Sequence, residues 1–145
     1  MKIKAFRRSI HTKLPIFSTL GSAGADLCSI DDVDVYPGMT EKIRTGLCVE
    51  IPEGYAGFVN SRSGLAAKHS VAVLNSPGVI DSDFRGEICV LLHNHGRDTF
   101  CVSRGDRIAQ LVIVPYIQFE FEEAEELTST SRGEGGFGST GIKTK

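Results

Sequence analysis

The apolar residues of this chain come in short runs, and turn-forming residues close each run before a long helix could form. The runs are Lys42–Ile51, Tyr55–Asn60, Val71–Leu74, Glu87–Leu92, Thr99–Val102 and Ile108–Pro115. Several are rich in Val and Ile, whose branched side chains suit a pleated, half-buried surface. Between them stand Pro37-Gly38, Pro52-Glu53-Gly54, Pro77-Gly78, His95-Gly96 and Arg104-Gly105-Asp106, residues that favour tight turns. Short strands at such spacing predict an all-β sandwich or barrel. The one helix expected is short, over Leu65–Lys68, after Ser63-Gly64.

With 145 residues the chain suffices for one domain with a proper core and is too short for a second independent one. Its formal net charge of −2 provides no basic field, so a nucleic-acid polymer is not the expected partner. Lys2, Lys4, Arg7 and Arg8 near the start precede no apolar stretch of signal or membrane-spanning length. The expectation is a soluble, intracellular, cytoplasmic protein. Cys28, Cys48, Cys89 and Cys101 form no CxxC pair and read as reduced thiols serving as small apolar residues.

Composition changes at the C-terminus. Five glutamates crowd Glu120–Glu126, and five of the ten residues from Arg132 to Gly141 are glycine. Such a segment cannot build a packed element unaided. It reads either as a tail or as an arm that wraps a ligand. Glycines let backbone N–H groups approach a phosphate, and an arginine, an aromatic and two hydroxyls stand among them. The expected division is a β domain over 1–127 and a flexible arm over 128–145.

Four further stretches hold residue types with chemistry to offer. In Arg62-Ser63-Gly64-Leu65 a guanidinium fork matches phosphate geometry, and a helix beginning here would favour an anion. The stretch Asn75 to Gly86 lies between two apolar strands and reads as a long hairpin. It carries Asp81, a candidate general base, and Phe84 three residues on. Gln110 is an amide in the apolar context of Ile108, Ala109, Leu111 and Val112, and a buried amide needs partners; Asp106 and Arg107 beside it read as turn and ion-pair residues. Asp26, the one acid in a stretch of small residues, could orient water on a hard cation or cap a turn. His93 and His95 share a strand face. A metal pair is conceivable there, but a surface or subunit-contact role is the expectation.

In this order the stretches resemble the trimeric dUTPase family. Its five motifs read here as Ala23-Gly24-Ala25-Asp26-Leu27, Arg62-Ser63-Gly64-Leu65, Gly78 through Gly86, Gly105 through Leu111, and Arg132 through Gly141. The resemblance implies a jelly-roll-like distorted β-barrel, a homotrimer with shared active sites, and Mg²⁺ as cofactor. It implies hydrolysis of dUTP to dUMP and pyrophosphate, which limits uracil incorporation into DNA and supplies dUMP for thymidylate synthesis. By the same match Asp81 activates the attacking water, while Arg62, Ser63, Gly64 and Gln110 hold the phosphate chain. Asn75 and the backbone of Gly78, Val79 and Ile80 read the uracil edge, with Cys89 closing that pocket. Phe84 lies under the deoxyribose, where the family usually has Tyr. From the arm, Phe137 stacks on uracil while Arg132, Gly138, Ser139 and Thr140 close on the phosphates. Asp26 contacts the metal through water. The alternatives are a non-catalytic dUTP-binding regulatory homologue, which pyrophosphate release would distinguish, and a dCTP deaminase, which would need a glutamate base.

Overall fold

The computed structural model describes residues 1–139 and 141. The chain is nearly all β, a distorted jelly roll of eleven named strands and one helix among the described residues. In chain order the strands are β1 (Lys4–Arg7), β2 (Ala25–Cys28), β3 (Val33–Val35), β4 (Thr40–Arg44), β5 (Leu47–Glu50) and β6 (Tyr55–Asn60). Helix α1 (Ser63–His69) follows, then β7 (Val71–Val73), β8 (Gly78–Ile80), β9 (Cys89–Asn94), β10 (Phe100–Val102) and β11 (Arg107–Pro115).

Four strands form the largest of the sheets among the described residues, in the order β2-β11-β6-β8. A second sheet runs β4-β9-β7, and the pairs β1-β5 and β10-β3 complete the fold. Every paired ladder is antiparallel. Alternating side chains on these strands drive one set inward. Val90, Leu92 and Asn94 of β9 are buried, while Cys89, Leu91 and His93 between them are half-exposed. Leu27, Ile43, Leu47, Ile88 and Ile108 join Val90 and Leu92 in one apolar core drawn from several sheets. The buried Asn94 amide is fully used: its Nδ2 donates to the Val35 and Asp98 carbonyls, and its Oδ1 accepts from Gly96 N.

Three sequence expectations change in detail. The run Lys42–Ile51 is two strands, because Gly46 turns the chain at φ +69° and the Glu87 carboxylate accepts its N–H at 2.7 Å. The helix is longer than expected by two residues at its start and one at its end. The stretch from Asn75 to Gly86 is more than a hairpin. Although β7 and β9 pair antiparallel in one sheet, the excursion between them crosses to the other and adds β8 to the edge of β6, with Gly57 opposite Ile80 and Val59 opposite Gly78. Gly57 admits this approach: a Cβ there would lie 3.3 Å from Ile80 Cβ and 2.9 Å from Ile51 Cδ1.

Candidate active site

The register of β2, β11 and β6 lines up three polar residues in one row. Asp26 faces Gln110 across one ladder, and Gln110 faces Asn60 across the next. Residues in such a row project to the same face of the sheet. Arg62 follows two residues past Asn60, at the N-cap of α1. The result is a groove of about 430 Å³ lined by Ser18, Ser22, Gly24, Asp26, Arg62, Ser63, Gly64 and Gln110.

Charge fixes the floor of this groove. Asp26 is buried, and a buried carboxylate needs partners. Arg62 Nε lies 3.1 Å from its Oδ1, and Arg107 Nη1 lies 3.0 Å from its Oδ2, to which Ser18 also donates at 3.0 Å. Arg62 Nη1 donates in turn to the Arg107 carbonyl at 2.8 Å. Two guanidiniums thus share one carboxylate, an excess of positive charge suited to an anionic ligand. The Gln110 amide donates to the Ser61 carbonyl at 3.0 Å, while its Oε1 lies where a Cβ on Gly24 would collide at 2.4 Å. Ser61 itself is tied in, its Oγ accepting from Val73 N at 2.8 Å. At the start of α1 no side chain caps the helix, and the first-turn N–H groups of Ser63 and Gly64 have no intrahelical acceptor. A Cβ on Gly64 would meet open space, so a ligand can come close to that backbone.

Asp81 and Phe84 sit elsewhere on the chain. Because Ile80 faces Gly57, Asp81 lies toward the Tyr55 end of β6, whereas Arg62 lies beyond the Asn60 end. Along an extended strand this separation is on the order of 15–20 Å. Asp81 is exposed and borders a cleft with Glu53, Asp83, Arg85 and Tyr116. That cleft shares no lining residue with the groove. Phe84 is 40 % exposed, its ring lying over Gly86. Asn75 packs its amide against Gly78, where a Cβ would stand 3.0 Å from Nδ2. Within β8, Gly78 is buried and Val79 exposed. Leu74 N donates to the Leu91 carbonyl, and the chain then turns away from β9, with Ser76 N donating to the Val73 carbonyl at 3.2 Å. Burial, and then the nearby Glu87 charge, pushes the Cys89 thiol pKa up; burial does the same to Cys28.

The arm makes its own turns. Arg132 Nε donates to the Gly135 carbonyl at 2.7 Å, and Ser139 N to the Gly136 carbonyl at 3.0 Å. Phe137 adopts φ +47° with its ring fully exposed, and Gly138 follows at φ +90°. Thr140 lies outside the described residues. The arginine, the aromatic and the serine are therefore presented without a barrel partner in the hydrogen bonds of the described residues. His93 donates to or accepts from Thr40 Oγ1 at 2.8 Å, and the His95 ring stands edge-on to it. Neither reaches the groove lining.

Sequence reasoning named Arg107 as an ion-pair residue but not as the second cation on Asp26, and it missed Ser18. No local signal marks Ser18; only the bridge of Ile16 to Asp26 brings it there. Regarding metals, no group of three His, Cys, Asp or Glu side chains stands ready to hold an ion among the described residues. Asp26 offers about four lone-pair sites as a carboxylate; hydrogen bonds from Ser18 and Arg107 fill two on Oδ2, and the Arg62 ion pair stands against Oδ1. What remains fits a contact through water to a hydrated Mg²⁺ held mainly by a ligand's phosphates, and does not fit an all-protein cage.

Comparison with known proteins places these features in context. The dUTPase family model matches residues 11–141. The deoxyuridine 5'-triphosphate nucleotidohydrolase of Anaplasma marginale is 49 % identical over 145 residues, covering 97 % of this chain and 99 % of that relative. Its namesake from Nautilia profundicola is 51 % identical over 141 residues, at the same coverage. Among solved structures, the Staphylococcus bacteriophage 80alpha dUTPase with dUpNHpp superposes with a TM-score of 0.91 at 29 % identity, covering 97 % of this chain and 99 % of that one. A mutant dUTPase of the S. aureus phage phi11, whose structure describes a structural Mg(II) ion, gives 0.81 at 26 %, covering 87 % and 98 %.

Proposed function

This chain belongs to the dUTPase family, and from that premise we propose how its residues divide the work of hydrolysing dUTP to dUMP and pyrophosphate. The enzyme is a dUTP diphosphatase, a hydrolase of the α–β phosphoanhydride. The observation that carries the reading of the site is the floor of the groove, where Arg62 and Arg107 share Asp26 beside the open backbone of Ser63 and Gly64. Such a cradle suits a polyphosphate. In this reading Arg62, Ser63, Gly64 and Gln110 hold the phosphate chain. Asn75 and the β8 backbone of Gly78, Val79 and Ile80 read the uracil edge, with Cys89 closing that pocket, and Phe84 supports the sugar. Asp81 takes the proton of a water that attacks the α-phosphorus, and the bond to the leaving pyrophosphate oxygen breaks. Aspartate is a weak base at neutral pH, so much of the rate must come from positioning and charge stabilisation.

Mg²⁺, when bound, neutralises charge developing on the phosphates; Asp26 would steady it through a water. The regulatory, non-catalytic alternative is not favoured, since the relatives named above are nucleotidohydrolases.

The separation of Asp81 from Arg62 supports a site shared between subunits of a homotrimer. A second feature supports the same assembly: beyond β11, Ile117, Phe119 and Phe121 alternate with Gln118, Glu120 and Glu122 and stand 85 %, 71 % and 93 % exposed. That alternation is what a strand with one buried face requires, and this subunit supplies no cover for it. In this reading the arm over 128–145 closes on the bound nucleotide, placing Phe137 on uracil and Arg132, Gly138, Ser139 and Thr140 on the phosphates. No helix among the described residues is long and apolar enough to cross a membrane. The functional test is pyrophosphate release from dUTP, dTTP, dCTP and UTP, each with and without Mg²⁺. Rapid release confined to dUTP and dependent on Mg²⁺ is expected. Equal rates on dCTP or UTP would contradict the base- and sugar-reading roles.

A further inference from the structure

Strand β8 ends at Ile80 and β9 begins at Cys89. Asp81 and Phe84 therefore both ride on a connection with no ladder of its own. Within residues 81–86 the backbone makes one turn bond, Phe84 N to the Asp81 carbonyl at 3.2 Å. A segment so lightly tied would let its side chains wander, and a misplacement of about 1 Å can cost roughly 10²-fold in rate.

Arg85 supplies what the backbone lacks. Its Nη1 donates to the Ser82 carbonyl at 2.6 Å and to the Phe84 carbonyl at 2.9 Å. One guanidinium nitrogen thus spans the loop between the residue after Asp81 and the residue bearing the aromatic ring. Hydrogen bonds from an ionised donor are shorter and stronger than neutral ones. The next residue completes the frame: a Cβ on Gly86 would stand 2.5 Å from Phe84 Cζ and 2.8 Å from Cε2, so the ring rests directly on the glycine backbone. We propose that Arg85, with Gly86, is a positioning device that holds Asp81 and Phe84 at a fixed spacing, so that one charged side chain sets both the water-activating carboxylate and the sugar-reading ring. The inference rests on the roles given above to Asp81 and Phe84. Arg85 is itself exposed and its hydrogen bonds stay inside the loop, so it is not a core residue whose loss would unfold the barrel.

The experiment compares wild type, Arg85→Ala, Arg85→Lys, Gly86→Ala and Asp81→Asn by pyrophosphate release from dUTP and UTP, with melting temperatures measured in parallel. For Arg85→Ala, kcat on dUTP should fall by on the order of 10- to 10²-fold, with melting nearly unchanged. The preference for dUTP over UTP should narrow, and millimolar guanidinium should restore part of the rate. Lysine, a single-point donor, should rescue incompletely. Gly86→Ala should narrow the same preference by lifting the ring. The proposal is overturned by Arg85→Ala with kcat within about twofold of wild type while Asp81→Asn is dead. It is equally overturned by a rise in KM alone, which would make Arg85 a substrate ligand, or by a loss that follows melting and resists guanidinium. An active Asp81→Asn would sink the base assignment itself, and this proposal with it, and is readable separately.

Discussion

At the scale of single residues, Asp26 shows how one carboxylate organises a site. It is the shared counter-charge of Arg62 and Arg107, so Asp26→Asn leaves two guanidiniums side by side without one. Removing one partner of a fully buried pair costs about 3–5 kcal/mol. Here the Arg62 and Arg107 side chains are 25 % and 50 % exposed, so a loss of roughly 1–3 kcal/mol is expected. A triphosphate ligand should recover much of it, which thermal unfolding with and without a dUTP analogue would reveal. Asp81→Asn, by contrast, should leave melting and nucleotide binding intact and lower turnover by ~10²–10⁴-fold; retention of more than a tenth of wild-type kcat would end the base assignment. A third residue-scale expectation concerns Cys101. It is exposed, yet the hydrogen bond and the charge of Asp34 push its thiol pKa up. A raised pKa means less thiolate below it, so iodoacetamide should label Cys101 at pH 8 more slowly than the same cysteine in the unfolded chain. Asp34→Asn should speed that labelling, as mass spectrometry would show.

At the scale of elements, the four-stranded sheet supplies a frame, and the proposed role of the C-terminal arm asks it to order on a ligand. The row Asp26–Gln110–Asn60 is fixed by ladder register, and a one-residue slip of β11 would turn Gln110 away from the face that Asp26 and Asn60 share. The arm has no such frame: half of its ten residues from Arg132 are glycine, and ordering them costs ~1–2 kcal/mol per residue. Stacking of Phe137 and anionic partners for Arg132 and Ser139 would have to offset that cost, and dUMP lacks the outer phosphates that supply most of them. Truncation before Arg132 should therefore leave the barrel's melting temperature nearly unchanged and cut turnover severely. Hydrogen exchange in the free, dUMP-bound and dUTP-analogue-bound states should show arm protection only in the last. Equal protection in all three would make the arm an ordinary tail.

At the scale of the whole molecule, the distance between Asp81 and Arg62 makes a direct test of shared sites available. Asp81→Asn and Arg62→Ala should each be nearly inactive alone. Unfolded together and reassembled at equal amounts, a trimer whose sites draw these residues from different subunits leaves about a quarter of its sites intact. Recovered activity near that fraction is the expected result. No recovery, or an active monomer by sedimentation equilibrium, would place both residues in one chain's site and contradict the geometry of β6.

The sequence alone determined what local chemistry determines. Short Val- and Ile-rich runs between Pro and Gly turns specified strands and an all-β fold, since a two-residue period leaves few other ways to bury those side chains. Ordered motifs pointed to the family, because a guanidinium, small residues and an aspartate in that succession are tied to the chemistry they perform. Other features were not written in any local pattern. Val33–Val35 and Gly78–Ile80 are strands of three residues, too short to carry a period, and they exist because β10 and β6 offer free edges. The pairing of two arginines with Asp26, the approach of Ser18 and the clamp of Arg85 across its own loop join residues whose partners are set by register and crossover. Only the tertiary structure decided that Asp81 and Arg62 face apart within one subunit, because the excursion that bears Asp81 crosses to pair with β6 and so carries it to the opposite end of the strand that leads to Arg62.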